Sequence, residues 1–92
     1  MFRFFFSLFL ISLIKGAAQE AVENNHIYDG NQLAKESVFD SAEMSYRKAL
    51  SKAPEKPEAL YNLGNTHYKE KNFDEAKQRY FQTQKFSENK SS

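Results

Sequence analysis

The chain has 92 residues, with 13 basic and 12 acidic side chains, a formal net charge of +1 and no cysteine. This length allows one small domain at most, and the lack of cysteine excludes disulfides, thiolate metal sites and cysteine nucleophiles. The near balance of charge gives no basic surface for phosphates, so nucleic acid is not an expected partner.

Residues 1–18 are predicted to form a signal peptide. Arg3 gives a positive start, residues 4–14 form an apolar run, and small side chains at 16–18 precede Gln19. The run is about half of the roughly 20 residues that a membrane-spanning helix needs, and it is apolar on every face, which disfavours a core helix. We expect a secreted or periplasmic chain. An uncleaved anchor facing the periplasm is the alternative, and only then is the membrane a partner.

The remainder is predicted to be all-α, because no stretch alternates with period two for long enough to indicate a strand. We expect a loose segment at 19–24, a first unit at 25–56, a second unit at 57–88 and a polar tail at 89–92. Each unit holds two helices, and the four predicted helices are Asn25–Glu36, Asp40–Lys52, Pro57–Lys71 and Asp74–Ser87.

Helix boundaries are marked by residues with known end preferences. Asp40 and Asp74 are predicted N-caps, because a carboxylate can accept hydrogen bonds from the first backbone N–H groups. Pro54 and Pro57 separate the two units, and Pro57 suits the first turn of a helix.

A 34-residue period relates the two units. Eight identities separated by this step lie between Gly30 and Tyr46 and in the second copy. They are Gly30 and Gly64, Asn31 and Asn65, Lys35 and Lys69, Glu36 and Glu70, Phe39 and Phe73, Asp40 and Asp74, Ala42 and Ala76, and Tyr46 and Tyr80. Repeats of this length indicate stacked helical hairpins, which cannot bury their apolar faces alone.

The repeated residues resemble the tetratricopeptide repeat (TPR), over about Glu23 to Lys90. His67 departs from the pattern, which usually has an aromatic there, and the outer ends are the least typical parts. The resemblance implies two tandem helix-turn-helix units of an α-solenoid. It also implies that the repeat-packing residues are Gly30, Leu33, Phe39, Ala42, Tyr46, Ala49, Leu60, Leu63, Gly64, His67, Phe73, Ala76 and Tyr80.

A narrower resemblance is to the secreted TPR proteins of bacterial aerotolerance operons, the Bat type. It is carried by Ala42-Glu43, the stretch from Tyr46 to Leu50 and the stretch from Glu58 to Asn65. That family implies an adaptor facing the cell envelope, near von Willebrand-type and membrane partners.

The TPR resemblance also implies a peptide-binding groove along the first helix of each unit. The residues placed there are Asn31, Lys35, Tyr61, Asn65, Tyr68 and Lys69. An asparagine amide can pair with an extended peptide backbone, and a lysine can meet a carboxylate. The clamp by which some TPR domains bind chaperone C-termini is not expected, because Ile27 replaces its first lysine and no third unit exists.

No catalytic residue, metal ligand or cofactor site is predicted. His26 and His67 are the only histidines, and His67 is interpreted as a packing residue. No side chains form a nucleophile and base motif. The expected function is therefore a non-catalytic adaptor that binds a protein or peptide. The alternative is a membrane-tethered or self-associating scaffold that retains its N-terminal apolar helix.

Two repeats are few for independent stability, since stacked arrays generally need about three and a domain this small has a marginal core. Homodimerisation, docking on a partner or low stability alone are the predicted consequences. Phe81 and Phe86 on the last helix have no role in the repeat pattern. They are predicted either to pack on the third helix or to form an edge where a partner docks.

Overall fold

Four helices account for nearly all of residues 20–91, which are the residues that the computed structural model describes. The predicted signal peptide at 1–18 lies outside the described residues. Helix α1 occupies residues 20–35, and the other helices are α2 (Phe39–Lys52), α3 (Pro57–Lys69) and α4 (Phe73–Ser91). Over this range the chain has no strand, and the all-α prediction of two tandem hairpins is confirmed.

The outer ends of the helical array differ from the sequence-based expectation. Residues 20–24, expected to be loose, belong to α1, and most of the expected polar tail belongs to α4. Glu23 gives α1 a contact outside itself, because its carboxylate lies 3.3 Å from the ammonium of Lys56 between the two units. This ion pair with Lys56 favours a helical conformation of the residues around Glu23 over a loose one.

The first helix of each unit ends in the same way. Ser37 and Lys71, one period apart, have positive φ values of 62° and 67°. The Ser37 N–H donates to the Ala34 carbonyl, and the Val38 N–H donates to the Leu33 carbonyl. These paired bonds form a Schellman motif, in which a left-handed residue closes the helix. Lys71 and Asn72 repeat the arrangement, which is why α3 ends at Lys69 rather than Lys71.

Asp40 and Asp74 are not N-caps. Helix α2 begins at Phe39 with Val38 in the cap position, and no side chain caps it. Helix α4 likewise begins one residue before Asp74. Both carboxylates therefore lie in the first helical turn, where they stabilise the helix through the positive end of its dipole rather than by a direct cap.

Two small apolar clusters form the core. One contains Ile27, Ala49 and Ala59, and the other contains Ala42, Tyr46 and Leu63. Leu50 packs against both. These residues come from α1, α2 and α3, so the core lies where the second hairpin stacks on the first. In α4, Ala76 is the one fully buried core residue among those whose side chains are described.

The two repeated glycines permit close contact with the repeated tyrosines. An ideal Cβ on Gly30 would lie 2.6 Å from Cε1 of Tyr46, and one on Gly64 would lie 2.8 Å from Cε1 of Tyr80. Both distances are well inside van der Waals contact, so any larger residue would push the ring away.

Most of the residues assigned to repeat packing are buried: Gly30, Ala42, Tyr46, Ala49, Leu60, Leu63, Gly64, His67 and Ala76. Leu33, Phe39 and Tyr80 are half-buried.

The exception is Phe73, which is 55% exposed and packs edge-on against the Tyr68 ring. Its counterpart Phe39 lies beneath Lys69 of the next unit, whose ammonium is 6.0 Å from the ring centroid. Within the described chain no third unit covers Phe73. None of the described helices is both long and apolar enough to cross a bilayer.

Candidate functional site

A groove runs between α1 and α3, the first helices of the two units. Its cavity volume is about 510 Å³. The side chains that line it are mostly polar and include none with a carboxylate: Tyr28, Asn31, Gln32, Ala34, Lys35, Tyr46, Asn62, Asn65, Thr66 and Lys69.

Asn31 is held at the centre of the groove by two hydrogen bonds. The Tyr46 hydroxyl donates to its side-chain oxygen at 2.6 Å, and the Asn62 amide donates to the same oxygen at 3.0 Å. Burial, followed by the charge of Glu58, raises the pKa of Tyr46 to about 12, so its hydroxyl remains a donor. Because two donors converge on the oxygen, the Asn31 amide group is fixed in one orientation.

Asn65 has the same arrangement one period later. The Tyr80 hydroxyl donates to its side-chain oxygen at 2.5 Å, and burial raises the pKa of this phenol as well. Among the described residues, no acceptor pairs with the amide nitrogen of Asn31 or of Asn65. The groove therefore presents two oriented amide groups with N–H donors available to a ligand.

Two lysines give the groove a positive charge. Lys35 and Lys69 line it one period apart, and neither takes part in an ion pair among the described residues. Since the lining contains no acidic side chain, their charge is not neutralised locally. The arrangement favours an acceptor-rich, negatively charged ligand.

The structure brings together four of the six residues assigned to the groove: Asn31, Lys35, Asn65 and Lys69. Tyr61 and Tyr68 lie outside this cavity and are exposed. The Tyr61 ring lies 5.7 Å from the Tyr80 ring, and Tyr68 packs against Phe73, so both associate with α4 instead.

Sequence reasoning did not place several lining residues in the groove. Thr66 lies on the same face of α3 as Asn62 and Lys69, four residues after the first and three before the second, and that spacing was an available signal. The Thr66 hydroxyl donates back to the Asn62 carbonyl at 2.9 Å, which orients it within its own helix. Tyr46 had been assigned only to packing, yet its hydroxyl also positions Asn31.

Comparison with known proteins agrees with this architecture. A family profile described as tetratricopeptide repeat matches residues 33–87, which is more than half of the chain. No curated protein matches. The profile is that of the general repeat and does not single out the Bat type. Such repeats generally mediate protein–protein interaction and are typically non-catalytic. The chain, with its tandem helical hairpins, belongs to the tetratricopeptide repeat family.

Proposed function

We propose that this protein is a non-catalytic adaptor that binds an extended, acidic segment of a partner protein in the groove between α1 and α3. The observation that supports this most strongly is the pair of tyrosine-held asparagines, Asn31 and Asn65, with their amide nitrogens available. An extended peptide presents backbone carbonyls at regular intervals, and each carbonyl can accept one of these N–H groups.

The tyrosine hydrogen bonds prepare the groove for binding. An asparagine side chain that is already oriented loses little conformational freedom when a ligand arrives, so more of the interaction energy remains as affinity. Tyr46 is almost completely buried, with 1% of its surface exposed, which makes the Asn31 side of the groove the more rigid one.

The positive charge of the groove favours an acidic peptide segment over a neutral or basic one. Lys35 and Lys69 are exposed at the groove without acidic neighbours in its lining, so a carboxylate can approach both. Each contact between exposed charges contributes modestly, and the pair also accelerates encounter with an acidic partner. Binding should therefore weaken as ionic strength rises.

The proposed location is the cell envelope, either secreted or periplasmic. This rests on the three-part pattern of residues 1–18. Mass measurement of the protein purified from its host tests it: loss of Met1 to Ala18 supports the proposal. An intact N-terminus in the membrane fraction contradicts it and favours a tethered adaptor instead.

A self-associating scaffold is the second candidate. Phe81 on α4 is 69% exposed and lies beside Lys77, Gln78 and Gln82 at an apolar surface depression. An exposed aromatic on the terminal helix is the feature that a second copy could cover. Sedimentation of the protein tests this candidate: a monomer whose mass is independent of concentration refutes it.

The groove is tested with fluorescently labelled eight-residue peptides that are acidic, neutral or basic and otherwise matched in composition. We expect the full chain to bind the acidic set, and we expect Asn65→Ala to weaken binding about fivefold and Lys69→Ala about twofold to fivefold. Lys77→Ala, an exposed lysine on α4, is the matched control and should bind as the wild type does. Equal binding of the three peptide classes, or unchanged binding by both groove variants, refutes the proposal.

A further inference from the structure

A second polar cluster lies outside the groove, where the end of α3 meets α2. Glu43, His67 and Glu70 each offer one ligand atom, and these atoms lie within 4.8 Å of one another. None of the three lines the groove described above. Glu43 belongs to the first unit, whereas His67 and Glu70 belong to the second, so the cluster spans the boundary between the units.

His67 is the unusual member of the cluster. It is 1% exposed, and both of its ring nitrogens are buried without a hydrogen-bond partner. A Glu75 carboxylate oxygen lies 3.3 Å from Nδ1, but the contact lacks hydrogen-bonding geometry. Buried polar side chains nearly always have a partner, so an imidazole with two unpaired nitrogens is available to coordinate one.

Among the described residues, Glu70 takes part in no ion pair. One oxygen of Glu70 is buried without a hydrogen-bond partner. Burial raises the pKa of Glu70, and the charges of Glu43 and Asp40 and a hydrogen bond with Asp40 raise it further, while His67 acts in the opposite direction. Carboxylates that repel one another beside a buried imidazole are stabilised by a cation placed between them.

We propose that Glu43, His67 and Glu70 form a binding site for a divalent transition-metal ion, with zinc as the best-matched example. Imidazole and carboxylate ligands suit zinc and its first-row neighbours, whereas calcium and magnesium prefer oxygen ligands alone. Three protein ligands leave a fourth position for water, which is a common zinc arrangement.

The geometry requires only a small adjustment. Zinc binds nitrogen and carboxylate oxygen at about 2.0–2.2 Å, which places tetrahedral ligands about 3.3 Å apart. The ligand atoms lie within 4.8 Å of one another, so the side chains must close by about 1.5 Å at most. Glu43 and Glu70 are only partly buried and can make this movement by rotating their side chains.

Two neighbouring side chains, Arg47 and Glu75, contact the proposed ligands and could hold them in place around a metal ion. Arg47 holds one carboxylate oxygen of Glu43 at 2.6 Å, which leaves the other oxygen to coordinate. A carboxylate oxygen of exposed Glu75 lies 3.3 Å from Nδ1 of His67, and a small rotation of Glu75 would let it accept a hydrogen bond from Nδ1–H and leave Nε2 for the metal. Carboxylates that contact the second nitrogen of a histidine ligand are a regular feature of zinc sites.

Metal binding would join the two units. A ligand that binds only the folded protein stabilises it by an amount that grows with the logarithm of the free ligand concentration above its Kd. Because the described residues form two units with a small core, an ion between α2 and α3 would reinforce the contact that holds the two units together. The site goes beyond peptide binding, and it departs from the sequence-based expectation of no metal ligand.

The test uses the full chain, freed of metal with a chelator and dialysed. Titration with Zn²⁺ in a calorimeter should show one ion per chain, and the melting temperature should rise as free Zn²⁺ increases. Co²⁺ should give visible absorption bands of a low-coordinate site. Glu43→Gln and Glu70→Gln should each weaken Zn²⁺ binding at least tenfold. Glu55→Gln, an exposed residue between the units, is the matched control and should leave affinity unchanged.

Two further measurements separate metal binding from loss of folding. Glu70→Gln should melt at the same or a higher temperature than the wild type without metal, because it removes a repelled charge. Zn²⁺ should shift the ring nitrogen resonances of His67 and leave those of His26 in place. The proposal is overturned if Zn²⁺ binding is not saturable, if it survives both glutamine substitutions, or if the His67 resonances do not move.

Discussion

Replacement of Gly30 by alanine should destabilise the protein even though alanine is the better helix former. The new Cβ would lie 2.6 Å from Cε1 and 2.8 Å from Cδ1 of Tyr46. The ring has little room to retreat, because Tyr46 is buried and its hydroxyl is bound to Asn31 at 2.6 Å.

The magnitude follows from three contributions. Overpacking a tight contact costs about 1–3 kcal/mol. Displacement of the ring also weakens the Tyr46–Asn31 hydrogen bond, which costs about 1 kcal/mol. Alanine, in turn, stabilises the helix by about 1 kcal/mol relative to glycine. The free energy of unfolding should therefore fall by about 1–3 kcal/mol, a large share of the stability of so small a domain.

Gly64→Ala is the matched control because it makes the same chemical change one period later. Its Cβ would lie 2.8 Å from Cε1 of Tyr80 and 3.3 Å from Cβ of Arg79, and the Tyr80 hydroxyl is bound to Asn65, but Tyr80 is only half-buried and its ring can move towards solvent. The gain in helix propensity should offset most of the cost, leaving a loss of no more than about 1 kcal/mol.

Urea unfolding of the full chain, followed by circular dichroism, measures both variants against the wild type. At a constant m-value, the shift in midpoint gives the change in stability directly. The reasoning is refuted if Gly30→Ala is as stable as the wild type, or if Gly64→Ala is the more damaging of the two.

Three other predictions concern individual residues. Ser37→Gly and Lys71→Gly should each raise the urea midpoint, by up to about 1 kcal/mol of stability, because glycine adopts positive φ without strain; a lower midpoint would contradict this. Since folding raises the pKa of Glu70 above its ordinary value of 4.5, the native state binds its proton more tightly. With chelator present, the contribution of Glu70 to the free energy of unfolding should be highest below pH 4.5 and should fall as the pH rises through the raised pKa. Glu70→Gln should flatten this fall. Identical melting profiles of the variant and the wild type from acid to neutral pH would argue against the prediction. Tyr46→Phe removes the hydroxyl that orients Asn31, so the free energy of unfolding should fall by about 1 kcal/mol. The variant should also lack the tyrosinate absorbance that appears near pH 12 in the wild type. An unchanged absorbance titration would exclude Tyr46 as its source.

The fold could be predicted from the sequence because the same pattern of residues occurs twice, 34 positions apart. A glycine and a tyrosine separated by 16 residues, as in Gly30 and Tyr46, recur at Gly64 and Tyr80, and this spacing already implies two helices packed closely. The helix ends were harder to predict. Ser37 and Lys71 close their helices in a left-handed conformation that the sequence does not signal, since glycine is the usual residue there.

The candidate sites were predictable only in part. Asn31 and Asn65 could be assigned to the groove by their repeat position, but the tyrosines that hold them contribute through tertiary contacts. The metal cluster was missed because Glu43 lies far from His67 in sequence and approaches it only when the units stack. Glu70, three residues after His67 and directly after the last residue of the same helix, was the available signal.

The hydrogen bond from Asn62 to Asn31 gives the groove a thermodynamic property that neither unit has alone. Asn31 belongs to the first unit and Asn62 to the second, so the orientation of a ligand-binding amide depends on whether the units are in contact. Peptide binding and stacking of the units are then linked equilibria, and each must favour the other. Above the Kd, each tenfold rise in free peptide concentration should stabilise the contact between the two hairpins by about 1.4 kcal/mol.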